Sequence, residues 1–286
     1  MTGIERIADA FRRARDERRT AVVAFLAAGD PDYETTVALA RAAVAAGADL
    51  IELGSPFSDP LADGPVIQAA YTRALAAGAT TAGALECAGR IAKETGAPVV
   101  LMTSLNCVLA HGLERYCAAA AAAGVSGILV PDLPIEDAGP LREAAAATGL
   151  GTVFLVAPDT PADRTERLAA ASTGFVYLLR RRGVTGVGGG AVELADRVAR
   201  LREAGTVPVA VGFGVATRAD AAEIADTADG IIVGSALVRA AFEAAAGAKS
   251  EVEGRERAAA AVAERISEIT AGLTRHSAPP TGGDTR

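Results

Sequence analysis

Short apolar runs alternate with alanine-rich helical patterns along nearly the whole chain. Eight of the runs read as strands: TAVVAFLA (20–27), DLIELG (49–54), PVVLMTS (98–104), SGILVP (126–131), GTVFLVA (151–157), GFVYLLR (174–180), VPVAVGF (207–213) and GIIVGS (230–235). Their apolar character is near-continuous rather than alternating, as expected of strands covered on both faces. Helical patterns fill 33–46, 65–76, 81–95, 113–123, 137–148, 162–171, 192–204 and 217–227. Most begin near an Asp, Ser, Thr or Pro, and Gly47, Gly78, Gly124, Gly149 and Gly205 follow the ends of several, the usual start and stop chemistry of helices.

Eight such units in succession predict an α/β fold, a closed (β/α)8 TIM barrel. The stripe of Ile4, Ile7 and Phe11 adds a helix before the first strand, and a pattern over about 249–273 closes the fold. We expect one domain over 1–274, with the Pro/Gly/polar segment RHSAPPTGGDTR (275–286) as a disordered tail. The competing architecture is an open doubly wound sheet, which usually carries GxGxxG after its first strand. That place reads AAGDPD here, and GVGGG (186–190) follows the sixth strand, where a mobile lid is the better reading.

Composition removes several functions. Half of the 286 residues are hydrophobic and 22% are charged, with a net charge of −7. An acidic chain without Trp and with 4% aromatic residues is poorly suited to nucleic acid, although Arg180, Arg181 and Arg182 form one local basic patch. The apolar runs are too short to span a membrane. The N-terminus lacks the apolar core of a secretory signal, so the expected location is the cytoplasm. Cys87, Cys107 and Cys117 are widely spaced and lack metal-ligand spacing, which favours buried thiols over a disulfide framework or metal site.

Active sites of parallel barrels lie at the C-terminal ends of the strands. Glu52 ends the second strand in IELGSPFSDPLADGP (51–65), followed by Asp59 and Asp63. A carboxylate turned into an apolar barrel mouth would titrate near neutrality and could both give and take a proton. Each also has an ordinary reading: Glu52 paired at a strand end, Asp59 a turn residue before Pro60, Asp63 the N-cap of a helix opening at Gly64-Pro65. Small residues end strands seven and eight in VGFGVAT and IIVGSAL. Glycine loops there, with a helix N-terminus, commonly hold a phosphate, so Gly214, Gly234 and Ser235 are the candidate donors. The only lysines, Lys93 and Lys249, end no strand, which argues against a Schiff-base aldolase.

These segments, above all ELGSPFSDPLADGP (52–65), resemble the tryptophan synthase α subunit and its free-standing indole-glycerol-phosphate lyase relatives. The resemblance covers AFLAAGDPD, GILVPDLPIED, VYLLRRRGVTG, VGFGV and VGSALV as well. It implies a barrel without metal or organic cofactor that cleaves indole-3-glycerol phosphate to indole and glyceraldehyde 3-phosphate. It further implies Glu52 as the acid/base group at indole C3, Asp63 as the partner of the indole N–H, and Tyr177 as the active-site tyrosine. Thr185 and Arg181 would belong to the lid, and Gly186, Gly214, Gly234 and Ser235 to the phosphate site. Phe25, Leu129, Tyr177 and Phe213 would form the indole pocket. Asp59 would lie in the loop facing a tryptophan synthase β subunit, the implied partner in an α2β2 assembly.

The chain departs from the family pattern at several points. MTSLNCV (102–108) puts Ser104 where the family carries a tyrosine, which predicts a larger indole pocket. Ser55 replaces a branched aliphatic residue, Arg180 replaces a small one, and glycines replace the acidic residues after GVTG. Two alternatives follow: a paralogue in specialised metabolism that cleaves a ring-substituted substrate without a β subunit, and a non-catalytic barrel that binds a phosphorylated ligand.

Overall fold

The computed structural model describes residues 1–180, 189–212 and 214–273, with backbone alone for 189–192. The elements run α1 (Gly3–Asp16), β1 (Ala21–Ala27), α2 (Tyr33–Ala45), β2 (Leu50–Gly54), α3 (Pro65–Ala76), α4 (Thr81–Thr95), β3 (Val99–Met102), α5 (Leu105–His111), α6 (Leu113–Ala123) and β4 (Gly127–Leu129). A 3-10 turn (Ile135–Asp137) leads into α7 (Gly139–Thr148). The chain continues β5 (Gly151–Val156), α8 (Ala162–Ala171), β6 (Val176–Leu179), α9 (Gly189–Ala204), β7 (Val209–Gly212), α10 (Arg218–Ala225), β8 (Gly230–Val233), α11 (Ser235–Ala245) and α12 (Glu251–Thr270).

All eight strands pair in parallel and in chain order, and β8 returns to β1 with Val23 beside Ile232, closing the barrel. In β2, Glu52 sits in register with Phe25 of β1 and Val100 of β3. Alternate residues point inward, so Val23, Leu50, Val100, Leu129, Val153, Phe175, Ala210 and Ile232 fill the lumen as one apolar cluster. The outward-facing set packs under the helices in a second, larger core.

Helix α1 plugs the N-terminal end of the barrel. Thr2 and Glu5 form a reciprocal capping box, with Thr2 N–H donating to Glu5 at 2.7 Å and Glu5 N–H to Thr2 at 3.2 Å. Ile7, Ala10, Phe11 and Ala14 are buried against the lumen cluster. The Ile7 Cδ1 lies 3.0 Å and 3.1 Å from where side chains on Gly127 and Gly151 would begin. Bare glycines at the starts of β4 and β5 are therefore what allow the plug to seat.

Among the described residues the structure adds two helices for which the sequence pattern gives no range: α5, whose 7 residues are too few for periodicity to reveal, and α11, which follows β8 directly. Helix α9 begins at Gly189, so part of the glycine run expected to be a lid is helical; tertiary context overrides glycine's low propensity. Gly124 and Gly149 close their helices in the left-handed conformation, with φ of 95° and 73°. Cys87 and Cys117 are buried, Cys107 is half-buried, and all three are free thiols. Among the described residues, no helix is long and apolar enough to cross a membrane.

Candidate active site

A cavity of about 610 Å³ opens at the C-terminal mouth of the barrel. Phe25, Glu52, Asp63, Tyr177, Gly214, Gly234 and Ser235 all line it. Residues from β1, β2, β6 and the loops after β2, β7 and β8 thus converge on one space.

Glu52 points into the lumen one layer above Leu50. It is 1% exposed, and its Oε2 has no hydrogen-bond partner among the described residues. Burial, and then the charge of Asp63, raise its pKa to about 8. Burial alone raises Asp63 to about 6. Near pH 7 the first is protonated and the second ionised, the division of labour two carboxyl groups need to act as acid and base.

The ordinary reading of Asp63, as the cap of α3, does not hold. The N-cap is Gly64, which has no side chain to offer, and Pro65 opens the helix at the first position, where its missing N–H costs nothing. The backbone of Asp63 is held instead, its N–H donating to the Pro60 carbonyl at 3.0 Å and its carbonyl accepting from Gln68 at 2.8 Å. Its carboxylate is left to the cavity. Tyr177 reaches the same space because Gly212 on β7 has no side chain: a Cβ there would lie 2.5 Å from the phenolic oxygen. Burial and the two carboxylates raise the Tyr177 pKa well above that of an ordinary phenol.

At the other side of the mouth, Gly234 precedes α11 with φ −114° and ψ −92°, and no side chain caps this helix. Its first-turn N–H groups and dipole offer an anion site beside Gly214 and Ser235. Phe25 stands between the two ends: its Cβ is 3.6 Å from where a Gly234 side chain would begin, and it adjoins Glu52 in the sheet.

Two expected pocket residues lie elsewhere. Leu129 is fully buried in the lumen cluster with Val153 and Phe175, and does not line the cavity. Ser104 is also outside the lining: it is the N-cap residue of α5, and its hydroxyl donates to Asp132 at 2.8 Å. The inward position at the end of β3 belongs to Met102, which lines the cavity and packs against the cluster of Phe25 and Tyr71. Met102, Ile232 and Phe154 line the cavity without having been singled out; for Met102 and Ile232, counting inward alternation from Glu52 and Gly234 was the available signal.

Asp59 is exposed and accepts from the Ser58 hydroxyl at 2.6 Å. Arg180 pairs with Glu223 of α10 at 3.2 Å. Ser55 is buried with its hydroxyl unpaired among the described residues, and nothing in the structure explains it. Arg181, Arg182, Thr185, Gly186 and Phe213 lie outside the described residues.

Closed barrel, anion-seeking helix terminus and two carboxyl groups of different pKa define a (β/α)8-barrel enzyme that works by acid–base chemistry. The family model described as tryptophan synthase alpha chain matches residues 11–268. The tryptophan synthase alpha chain of Halorhodospira halophila is 45% identical over 284 residues, covering 98% of this chain and 100% of its own length. That of Opitutus terrae is 42% identical over 273 residues, covering 95% and 100%. Among solved structures, tryptophan synthase subunit alpha from Legionella pneumophila superposes with a TM-score of 0.82 at 32% identity, over 95% of this chain and 98% of that one. Mycobacterium tuberculosis tryptophan synthase gives 0.81 at 36% identity, over 94% and 98%. The chain belongs to the tryptophan synthase alpha chain family and is a carbon–carbon lyase.

Proposed function

We propose that this barrel cleaves indole-3-glycerol phosphate to indole and glyceraldehyde 3-phosphate by a retro-aldol reaction, with Glu52 and Asp63 as its working groups. The observation that carries the assignment of roles is the pair of carboxyl groups itself: Glu52 buried with an unpaired oxygen and a pKa of about 8, Asp63 uncapped and at about 6.

Protonated Glu52 gives its proton to indole C3, while ionised Asp63 holds the ring N–H as positive charge develops there. Glu52, now a carboxylate, takes the proton of the glycerol hydroxyl next to the ring. The hydroxyl oxygen becomes the aldehyde, and the electron pair of the breaking carbon–carbon bond returns to the indole ring. The net transfer is one proton from oxygen to carbon, which requires no cofactor.

Phe25, Met102, Ile232 and Tyr177 supply an apolar seat for the ring, and Gly214, Gly234 and Ser235 bind the phosphate together with Gly186. Arg181 and Thr185 belong to the lid, Phe213 to the indole pocket, and Asp59 to the loop that meets a β subunit. Such an enzyme works in the cytoplasm, paired with that subunit.

Release of indole from indole-3-glycerol phosphate by the purified chain tests the reading. Glu52→Gln and Asp63→Asn should each lower kcat by at least about a hundredfold with KM little changed. Full activity in both variants would refute the assignment.

A further inference from the structure

A second phenol, Tyr71 of α3, sits at the same mouth and takes no part in the mechanism above. Glu52 and Gly54 are two residues apart on β2, so they present the same inward face, separated by about 6.6 Å of strand. Gly54 leaves that face bare, and the Tyr71 hydroxyl fills the vacancy: a Cβ on Gly54 would lie 2.2 Å from it and 2.8 Å from Phe25 Cζ. Phe25 is in turn the register partner of Glu52. Tyr71 is 2% exposed and packs with Phe25, Ile67 and Val238 in a small cluster over the mouth.

Glu52 Oε2 and Tyr71 Oη, which flank the bare face of Gly54, are both buried without a partner among the described residues, as is Ser55 Oγ next to Gly54 in sequence. The Glu52 oxygen is an acceptor once ionised, and the Tyr71 hydroxyl is a donor. An unpaired buried hydroxyl is destabilising, and phenylalanine would fill the same volume without that cost. The charges of Asp63 and Glu52 both act on Tyr71, which places its hydroxyl within their field.

We propose that Tyr71 is a positioning residue for Glu52: its hydroxyl donates a hydrogen bond to the Glu52 carboxylate formed when the proton passes to the substrate. The proposal rests on the acid/base role assigned to Glu52 above. In the resting enzyme Glu52 is protonated and the bond is unmade; on proton transfer a short movement of the Glu52 side chain toward Gly54 makes it. The bond would favour the charged form, easing donation to carbon and holding the carboxylate in line to receive the hydroxyl proton. Among the described residues, the titratable groups that act on Glu52 or are acted on by it are Asp63, Tyr177 and Tyr71, and of these Tyr71 alone stands on a helix.

Tyr71→Phe keeps the ring and removes the donor. Indole release by wild type, Tyr71→Phe and Glu52→Gln should be compared across pH, with thermal unfolding as a check on the fold. The expected result for Tyr71→Phe is a fall in kcat of about tenfold with KM unchanged, and a basic limb of the pH profile displaced upward by about one pH unit. Thermal stability should be equal to or above that of wild type. A kcat and basic limb equal to wild type, with Glu52→Gln inactive, would overturn the proposal while leaving the catalytic reading intact. Activity in Glu52→Gln would instead overturn that reading. An independent test is then the infrared carboxyl band of wild type minus Glu52→Gln, titrated with and without the phenol. Its midpoint should rise in Tyr71→Phe, and an unmoved midpoint would overturn the proposal whatever the activity.

Discussion

At the scale of single residues, the site depends on two carboxyl groups being kept at different pKa values by different degrees of burial. If protonated Glu52 and ionised Asp63 are the active forms, kcat/KM should be bell-shaped in pH. The acidic limb lies near Asp63's value of about 6 and the basic limb near Glu52's value of about 8. Asp63→Asn should abolish the acidic limb in whatever activity remains; persistence of that limb would assign it elsewhere. Burial of Glu52 also has a stability consequence. Its folded pKa of about 8 exceeds the ordinary value of 4.5, so the unfolded chain releases this proton first as pH rises. Folding stability is therefore lost progressively from about pH 4.5 to about pH 8, by an amount on the order of a few kcal/mol. The amide of Glu52→Gln does not titrate, so the Tm of this variant should gain on wild type between about pH 5 and about pH 8.5. A constant difference by calorimetry at both values would show that burial exacts no such cost.

At the scale of elements, the barrel mouth is built by glycines that clear room for aromatic rings on neighbouring elements. Gly54 on β2 admits Tyr71 from α3, and Gly212 on β7 admits Tyr177 from β6. Gly212→Ala would place a methyl group 2.5 to 2.7 Å from three atoms of the Tyr177 phenol. The ring must move, at a cost of about 1–3 kcal/mol in stability and about tenfold in kcat. Denaturant titration and steady-state kinetics would check both, and unchanged values would mean that Tyr177 can swing aside freely. Helix α3 is anchored from a distance: Asp30, after β1, forms a two-pronged pair with Arg73 in its last turn at 2.7 and 2.8 Å. Arg73 also stacks over Phe242 of α11, 4.2 Å from its ring centre. This ties the carboxylate side of the mouth to the helix that offers the anion site.

At the scale of the whole molecule, the loop carrying Asp59 leaves Leu61 92% exposed beside the cavity rim. In the function proposed above, this side chain belongs to the loop that meets a β subunit. With a tryptophan synthase β subunit added in increasing amounts, indole release should rise severalfold, and Leu61→Asp should blunt that rise while leaving thermal unfolding unchanged. An undiminished rise would move the contact away from this loop. Much of this architecture was legible in the sequence. Number, order and type of the βα units, the Glu52 strand end, the glycine ends of β7 and β8 and the family resemblance all follow from local pattern, because period, turn chemistry and motif are properties of neighbouring residues. Which side chains face the cavity was decided only by closure of the barrel. Closure put Met102 at the mouth, left Leu129 beneath it and turned Ser104 to Asp132. It likewise brought Tyr71, nineteen positions after Glu52, to the bare face of Gly54. Inward phase, depth and contacts between helix and strand depend on how eight strands tilt and stagger against one another, and no local stretch of sequence contains that information.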